Sequence, residues 1–261
     1  MKILTGFAYL RNAAGTGFVF LLFGLGGLLL SLLVLPVLRL VPASQQEREK
    51  RTRKLMHKGF RLFFWILGSL KLIYHEIDGV ERFAENEPCL IVANHPTLLD
   101  VVLLFSCLPD AICVIKKDAK ANPFFYGVLR ECGYIANDGG KDLVDQCVEK
   151  LNYGNTLLIF PEGTRSPSGS LGRFSRGAAH IALRSNCRIL PVTITIDDPI
   201  LEKNWKWYDV LPFATTMRLK ALEPISLKKY RESGDEPCIL ARHLTKNLRN
   251  IFEERVLNVE S

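Results

Sequence analysis

"IVANHPTLLD", residues 91–100, decides how the chain is read. An apolar strand runs into Asn94, His95 and Pro96, and an apolar helical pattern resumes with Asp100 inside it. A strand passing into a helix through a short polar junction is the building unit of an α/β sheet. Pro96 suits the first helical position, because proline lacks the N–H that goes unbonded there and has a helix-compatible φ. A helix is therefore expected over 97–107, with Asp100 in its second turn. Residues five apart on a regular helix stand about 140° apart around the axis. His95 and Asp100 can meet only if His95 lies outside the helix and its ring folds back. One ring nitrogen is then held by the carboxylate, and the other points outward as a base. Taken by itself a His-x4-Asp pair is weak, since a half-buried histidine at a helix cap gives the same pattern.

A second strand end changes that balance. "LLIFPEGTRSPSG" (157–169) carries an apolar strand into Pro161, Glu162, Gly163, Thr164 and Arg165. The charged side chains then sit at the carboxyl edge of the sheet, where α/β ligand sites open. Arg165 is a natural phosphate fork, and Gly163 lets a ligand approach the backbone. Further strands are expected at 89–93, 112–115, 156–160, 189–196 and 216–222, with helices at 97–107, 123–132, 141–153, 175–185 and 237–256. The fold class is α/β: a mixed sheet flanked by helices, behind an N-terminal hydrophobic, membrane-associated helical hairpin.

That hairpin is read from the first 75 residues, which gives a membrane-anchoring segment over 1–75 and an α/β domain over 76–261. No charged residue occurs from Asn12 to Leu38. At ~1.5 Å per residue a helix of that length exceeds the ~30 Å bilayer core. Gly24, Gly26, Gly27 and Pro36 weaken the case for a straight span, so a kinked helix dipping into one leaflet is the alternative. Arg48, Lys50, Arg51, Arg53, Lys54, Lys58 and Arg61 follow, against Glu47 and Glu49. Such a basic run beside an apolar segment marks an anionic membrane surface and places the α/β domain on the cytoplasmic side, at the inner membrane if the cell is bacterial. The net charge of +7 fits the same surface; neither zinc-finger spacing nor an aromatic RNA-binding signature supports nucleic acid. "FRLFFWILGSLKLIY" (60–74) is expected as a second, interfacial helix with Trp65 and Tyr74 at headgroup depth, or else as a core helix. The seven cysteines form no Cys-x-x-Cys pair and read as reduced, buried thiols, with no metal site.

With both motifs on view, the sequence resembles the PlsC-type glycerolipid acyltransferases, which include the lysophosphatidic acid acyltransferases. Asn94-His95-Pro96-Thr97-Leu98-Leu99-Asp100 is similar to that family's Asn-His-x4-Asp block. Phe160 to Ser166 resembles its Phe-Pro-Glu-Gly-Thr-Arg-Ser block, and Ile189-Leu190-Pro191-Val192 its strand with a central proline. "GRFSRGAAHIAL" resembles the segment after the third block, and "KKDAKANPFFYG" a lysine-containing turn, which matches best at Lys117, with Lys116 a close second. In "CGYIANDGG" Asp138 aligns with the second block's aspartate, but Gly139 stands where the family has an arginine. A glycine offers no phosphate fork, which leaves Lys141 as the substitute or a different lysolipid or alcohol as the acceptor.

The resemblance implies acyl transfer from acyl-CoA or acyl carrier protein to a hydroxyl of a lysophosphatidate-type acceptor, in phospholipid biosynthesis. It implies His95 as general base and Asp100 as its orienting partner, with no other cofactor. Asn94, Lys117, Asp138, Glu162, Gly163, Thr164 and Arg165 are the implied substrate-binding residues, and helix-start amides with Lys117 would hold the oxyanion. Membrane lipids and the thioester donor are the implied partners. Two other classes fit parts of the pattern: an enzyme that passes acyl chains between phospholipids without a thioester, and a non-enzymatic lipid-binding protein. The second gives no reason for both motifs to be intact.

Overall fold

In a computed structural model, residues 6–83, 87–116, 126–137, 142–185, 187–203, 205, 209–211 and 214–256 are described. The apolar N-terminus is helical from α1 (Gly6–Leu29) through a π-helical turn (Leu30–Val34) into α2 (Leu35–Leu40). The wide turn lies just ahead of Pro36, whose ring and missing N–H cannot fit a regular α-helical ladder. One side of this helix rests on the rest of the protein from Asn12 to Leu35. Asn12 Nδ2 donates to the Leu211 carbonyl (3.3 Å), and the Leu211 N–H donates to Thr16 Oγ1 (3.1 Å). Phe23 packs on Phe63 with ring centroids 5.1 Å apart, and Leu35 is buried with Val128 and Cys132. The other sides expose Leu21, Leu25, Leu29, Leu32 and Leu33.

The basic run and the aromatic stretch after it form one helix, α3 (Gln45–Ser69), rather than a basic segment followed by a separate helix over 60–74. Ser44 caps it in a capping box with Glu47. The helix ends at Ser69, and Ile73 already begins strand β1 (Ile73–Asp78), so a cut at residue 75 passes through a strand. Phe63, Phe64 and Leu67 are buried in the sheet's core while Trp65 stays 67% exposed. Arg53 also turns inward, unlike the surface residue the sequence suggests. It is 5% exposed, its Nε donates to Asp110 at 2.6 Å, and its Nη1 donates to the Cys132 carbonyl at 2.8 Å. Burial is tenable for this guanidinium because carboxylate and carbonyl replace its water.

The remaining elements are β2 (Cys89–Ala93), α4 (Asp100–Cys107), β3 (Ala111–Lys116), α5 (Tyr126–Glu131), β4 (Ile135–Asn137), α6 (Leu143–Asn152), β5 (Thr156–Ile159), α7 (Gly177–Arg184), β6 (Arg188–Ile196), β7 (Thr215–Ala221), α8 (Lys228–Arg231) and α9 (Pro237–Val256). The sheet order is β1-β7-β6-β2-β5-β3-β4. From β6 to β4 all neighbours are parallel; β7 is antiparallel to β6, and β1 runs parallel to β7. Strand alternation divides the core into two layers. Cys89, Ile91 and Ala93 of β2 face the layer beneath α1, α3 and α4, whereas Leu90 and Val92 face the layer of α6, α7 and α9.

Candidate active site

Strands β2 and β5 are parallel neighbours, with Leu90 opposite Leu157 and Val92 opposite Ile159. The chain leaves β2 for α4 on one face and leaves β5 for α7 on the other. Between two such strands the connections part and a crevice opens at the carboxyl edge. Both sequence motifs meet there. His95 follows β2 by two residues, and Phe160 to Arg165 follow β5 directly.

His95 Nδ1 lies 2.9 Å from Asp100 Oδ2. Asp100 is wholly buried, and its carboxylate also accepts the Thr97 N–H at 2.7 Å and the Thr97 hydroxyl at 2.8 Å. Burial raises this carboxyl's pKa, and the bonds from His95 and Thr97 pull against it. Phe160 stacks on the imidazole with centroids 4.3 Å apart. The His95 side chain keeps 17% of its exposure, and among the described residues only Nδ1 of the ring has a hydrogen-bond partner. With Nδ1 held by a carboxylate, Nε2 is the nitrogen that can take a proton.

The helix begins later than the sequence suggests. Asp100 is the first residue of α4, not a residue of its second turn, and Pro96 lies in the junction ahead of it. The cause is the Asp100 carboxylate, which gathers Thr97 into a tight turn. That turn uses up the amides expected to hold an oxyanion. The N–H groups of His95, Thr97, Leu98 and Leu99 donate to Glu162, Asp100, the Leu201 carbonyl and Thr97 Oγ1 respectively.

Glu162 is the brace between the two motifs. Its Oε1 accepts the His95 N–H at 3.0 Å; its Oε2 accepts the Ser166 hydroxyl and, at 2.6 Å, the Gly172 N–H. The Ser166 N–H closes the junction by donating to the His95 carbonyl at 3.0 Å. Arg165 Nη1 donates to the carbonyls of Leu201 (2.8 Å) and Glu202 (3.0 Å); among the described residues its Nε and Nη2 have no partner. The guanidinium is thus tethered at one nitrogen and open at two.

Gly163 has φ 68, in the left-handed region that favours glycine, and a Cβ at that position would meet no atom of the protein within 4 Å. Thr164 is half-buried in the same turn. Asn94, expected to bind substrate, is 2% exposed, and its amide is engaged with β6: it donates to the Ile194 carbonyl (2.8 Å) and accepts the Ile194 N–H (2.7 Å). Lys117, Asp138, Gly139 and Lys141 lie outside the described residues.

Thr97, Phe160, Ser166 and Gly172 also take part in the site. All four lie in segments that carry the resemblance, Phe160 and Ser166 as the ends of the third block and Gly172 as the start of "GRFSRGAAHIAL", but the sequence assigns none of them a role. Burial pushes the thiols of Cys113, Cys132 and Cys147 up to about 12, which keeps them neutral and unreactive. Among the described residues no group of three His, Cys, Asp or Glu side chains is arranged to hold a metal ion.

Residues 75–195 match the family model described as Acyltransferase. The chain is 32% identical over 148 residues to the 1-acyl-sn-glycerol-3-phosphate acyltransferase of Pseudomonas aeruginosa, a stretch that covers 54% of this chain and 57% of that protein. It is 38% identical over 112 residues to the enzyme of the same name from Helicobacter pylori, with 40% and 47% covered. The chain spans about half the length of the curated relatives it matches. A crystal structure of the 1-acyl-sn-glycerophosphate (LPA) acyltransferase PlsC from Thermotoga maritima superimposes with TM-score 0.72 over 97% of this chain and 99% of that one, at 19% identity, which is a likeness of fold.

Proposed function

We propose that the chain, whose residues 75–195 match the Acyltransferase family model, moves a fatty acyl group from a thioester to a hydroxyl of a lysophosphatidate-type lipid at a membrane surface. The observation that carries the reading is the His95 ring, anchored at Nδ1 by a buried carboxylate and stacked on Phe160. The acceptor hydroxyl gives its proton to Nε2 as its oxygen attacks the thioester carbonyl. The tetrahedral intermediate collapses with loss of the C–S bond, and the departing thiolate takes the proton back from the imidazolium. Acceptor and donor exchange the acyl group directly, with no acyl-enzyme. Asp100 fixes the tautomer and balances the transient imidazolium.

Since the amides from His95 to Leu99 are engaged within the protein, oxyanion stabilisation falls to cationic side chains. Arg165 stands at the crevice, and Lys117 is the residue that the family resemblance assigns. Arg165 is also the phosphate contact for the acceptor, the more so because Gly139 replaces the second block's arginine. The relatives' names support a 1-acyl-glycerol-3-phosphate acceptor. Acyl-CoA and acyl carrier protein are the two donors to test.

The N-terminal helix supports membrane association of a particular kind. It is long and apolar enough to cross a bilayer. Yet Asn12 near one end and Leu35 near the other both contact the same α/β domain. A helix lying flat on its domain enters one leaflet with its exposed leucines and leaves the domain on one side of the membrane. The test of function is to incubate the purified protein with a panel of lysolipids and both thioester donors and to identify acylated products by mass. A product that depends on His95 is expected. Transfer from a phospholipid with thioesters inert would replace this reading by transacylation, and full activity of His95→Ala would remove the base.

A further inference from the structure

The two faces of the sheet differ in what they offer a substrate. On the side of α1, α3 and α4, the surface carries exposed leucines and Trp65, and Leu98 near His95 is 49% exposed. On the side of α7, the chain from Leu171 to Arg176 forms a strap beside the crevice. Three contacts pin it. The Gly172 N–H donates to Glu162, the Ser175 N–H donates to the Pro161 carbonyl at 2.8 Å, and Phe174 is buried against Phe252. A Cβ at 172 would stand 2.7 Å from Ser166 Oγ and 2.9 Å from Glu162 Oε2, so a side chain there would push on both. The strap and His95 therefore hang from one carboxylate.

Arg173 and Arg176 sit on this strap, and both are exposed. Among the described residues neither has an acidic partner, whereas Arg82, Arg184, Arg218 and Arg249 each hold a carboxylate. Two exposed guanidiniums on a strap pinned to the carboxylate that also holds His95 suit phosphate. A lipid acceptor arrives from the leucine-bearing side; a water-soluble polyanion arrives from the side of α7. On the acyl-transfer reading, we infer that Arg173 and Arg176 bind the phosphate-bearing pantetheine arm of the thioester donor, the part common to CoA and acyl carrier protein.

The double variant Arg173→Gln, Arg176→Gln tests this in steady-state assays with acyl-CoA, acyl carrier protein thioester and S-acyl-pantetheine, which has no phosphate. The expected result is a donor KM raised roughly fivefold to thirtyfold, in keeping with two lost charge-assisted surface contacts. The acceptor KM stays put, and the preference for acyl-CoA over S-acyl-pantetheine narrows by the same factor. A rise confined to one of the two phosphate-bearing donors overturns the assignment to their shared arm. Donor KM values equal to those of the unaltered chain, or a rise in the acceptor KM alone, overturn the inference and leave acyl transfer standing. Absence of turnover by the unaltered chain with every donor overturns acyl transfer itself, and this inference with it.

Discussion

Glu162→Gln separates two roles for the most connected side chain in the crevice. The sequence suggests that this glutamate shapes the acceptor pocket, whereas the structure has both its oxygens holding the protein together. Glutamine has one acceptor oxygen instead of two. If that oxygen stays on the His95 N–H, the new NH2 group faces the Gly172 N–H, donor against donor. Ser166 can rotate its hydroxyl to accept, but the Gly172 N–H cannot adapt. In the flipped orientation His95 loses its acceptor instead. One part-buried donor is orphaned either way, at about 1–3 kcal/mol. For a domain of this size that lowers Tm by roughly 4–8 °C, taking about 2 kcal/mol as the middle value. The slack appears at the reacting imidazole, where about 1 Å of misplacement costs on the order of a hundredfold in rate. The assay pairs a thermal melt with kcat and acceptor KM. A lower Tm with a kcat reduced about tenfold to a hundredfold and a steady KM is expected. An unchanged Tm with only the acceptor KM raised would show that Glu162 touches substrate and that the bracing argument is wrong.

Three further outcomes are expected. Asp100→Asn presents an amide to Nδ1 and favours the wrong tautomer, so kcat falls by about 10³–10⁴ with little change in either KM; a loss below tenfold in a folded variant would free Asp100 from its assigned role. Because burial holds the Cys113, Cys132 and Cys147 thiols near 12, iodoacetamide at pH 8 labels the exposed Cys238 and spares those three until the protein unfolds; early labelling of Cys132 in a peptide map would contradict the packing around it. Charge reversal of the exposed Lys54, Lys58 and Arg61 weakens binding to phosphatidylglycerol vesicles by about 1 kcal/mol per residue at low salt. If sedimentation with vesicles does not change, the basic face of α3 lies away from the lipid.

The strands most legible in the sequence are the ones buried on both faces. Cys89–Ala93 and Thr156–Ile159 read as unbroken apolar runs, and the structure places them within a residue of expectation. Strand β1 escapes a sequence reading for the opposite reason. Tyr74, His75 and Glu76 are exposed on a strand paired only with β7, so "LKLIY" reads as the tail of an apolar helix. At the crevice, spacing alone requires His95 to lie outside the helix, and it does. Where that helix starts is not legible, because the Asp100 carboxylate's hold on Thr97 is a matter of geometry rather than residue type. The partner of Asn94 is Ile194, a hundred positions along the chain, and no local pattern announces it.

That Asn94–Ile194 pair has a spectroscopic consequence. The carboxamide imitates a peptide group, and so adds one more rung to the ladder between β2 and β6 just before the histidine. Proton exchange at the Ile194 amide therefore reports fraying of the reactive loop from a position on a neighbouring strand. An isotope label there could follow that loop's motion through turnover while the reacting groups stay chemically untouched.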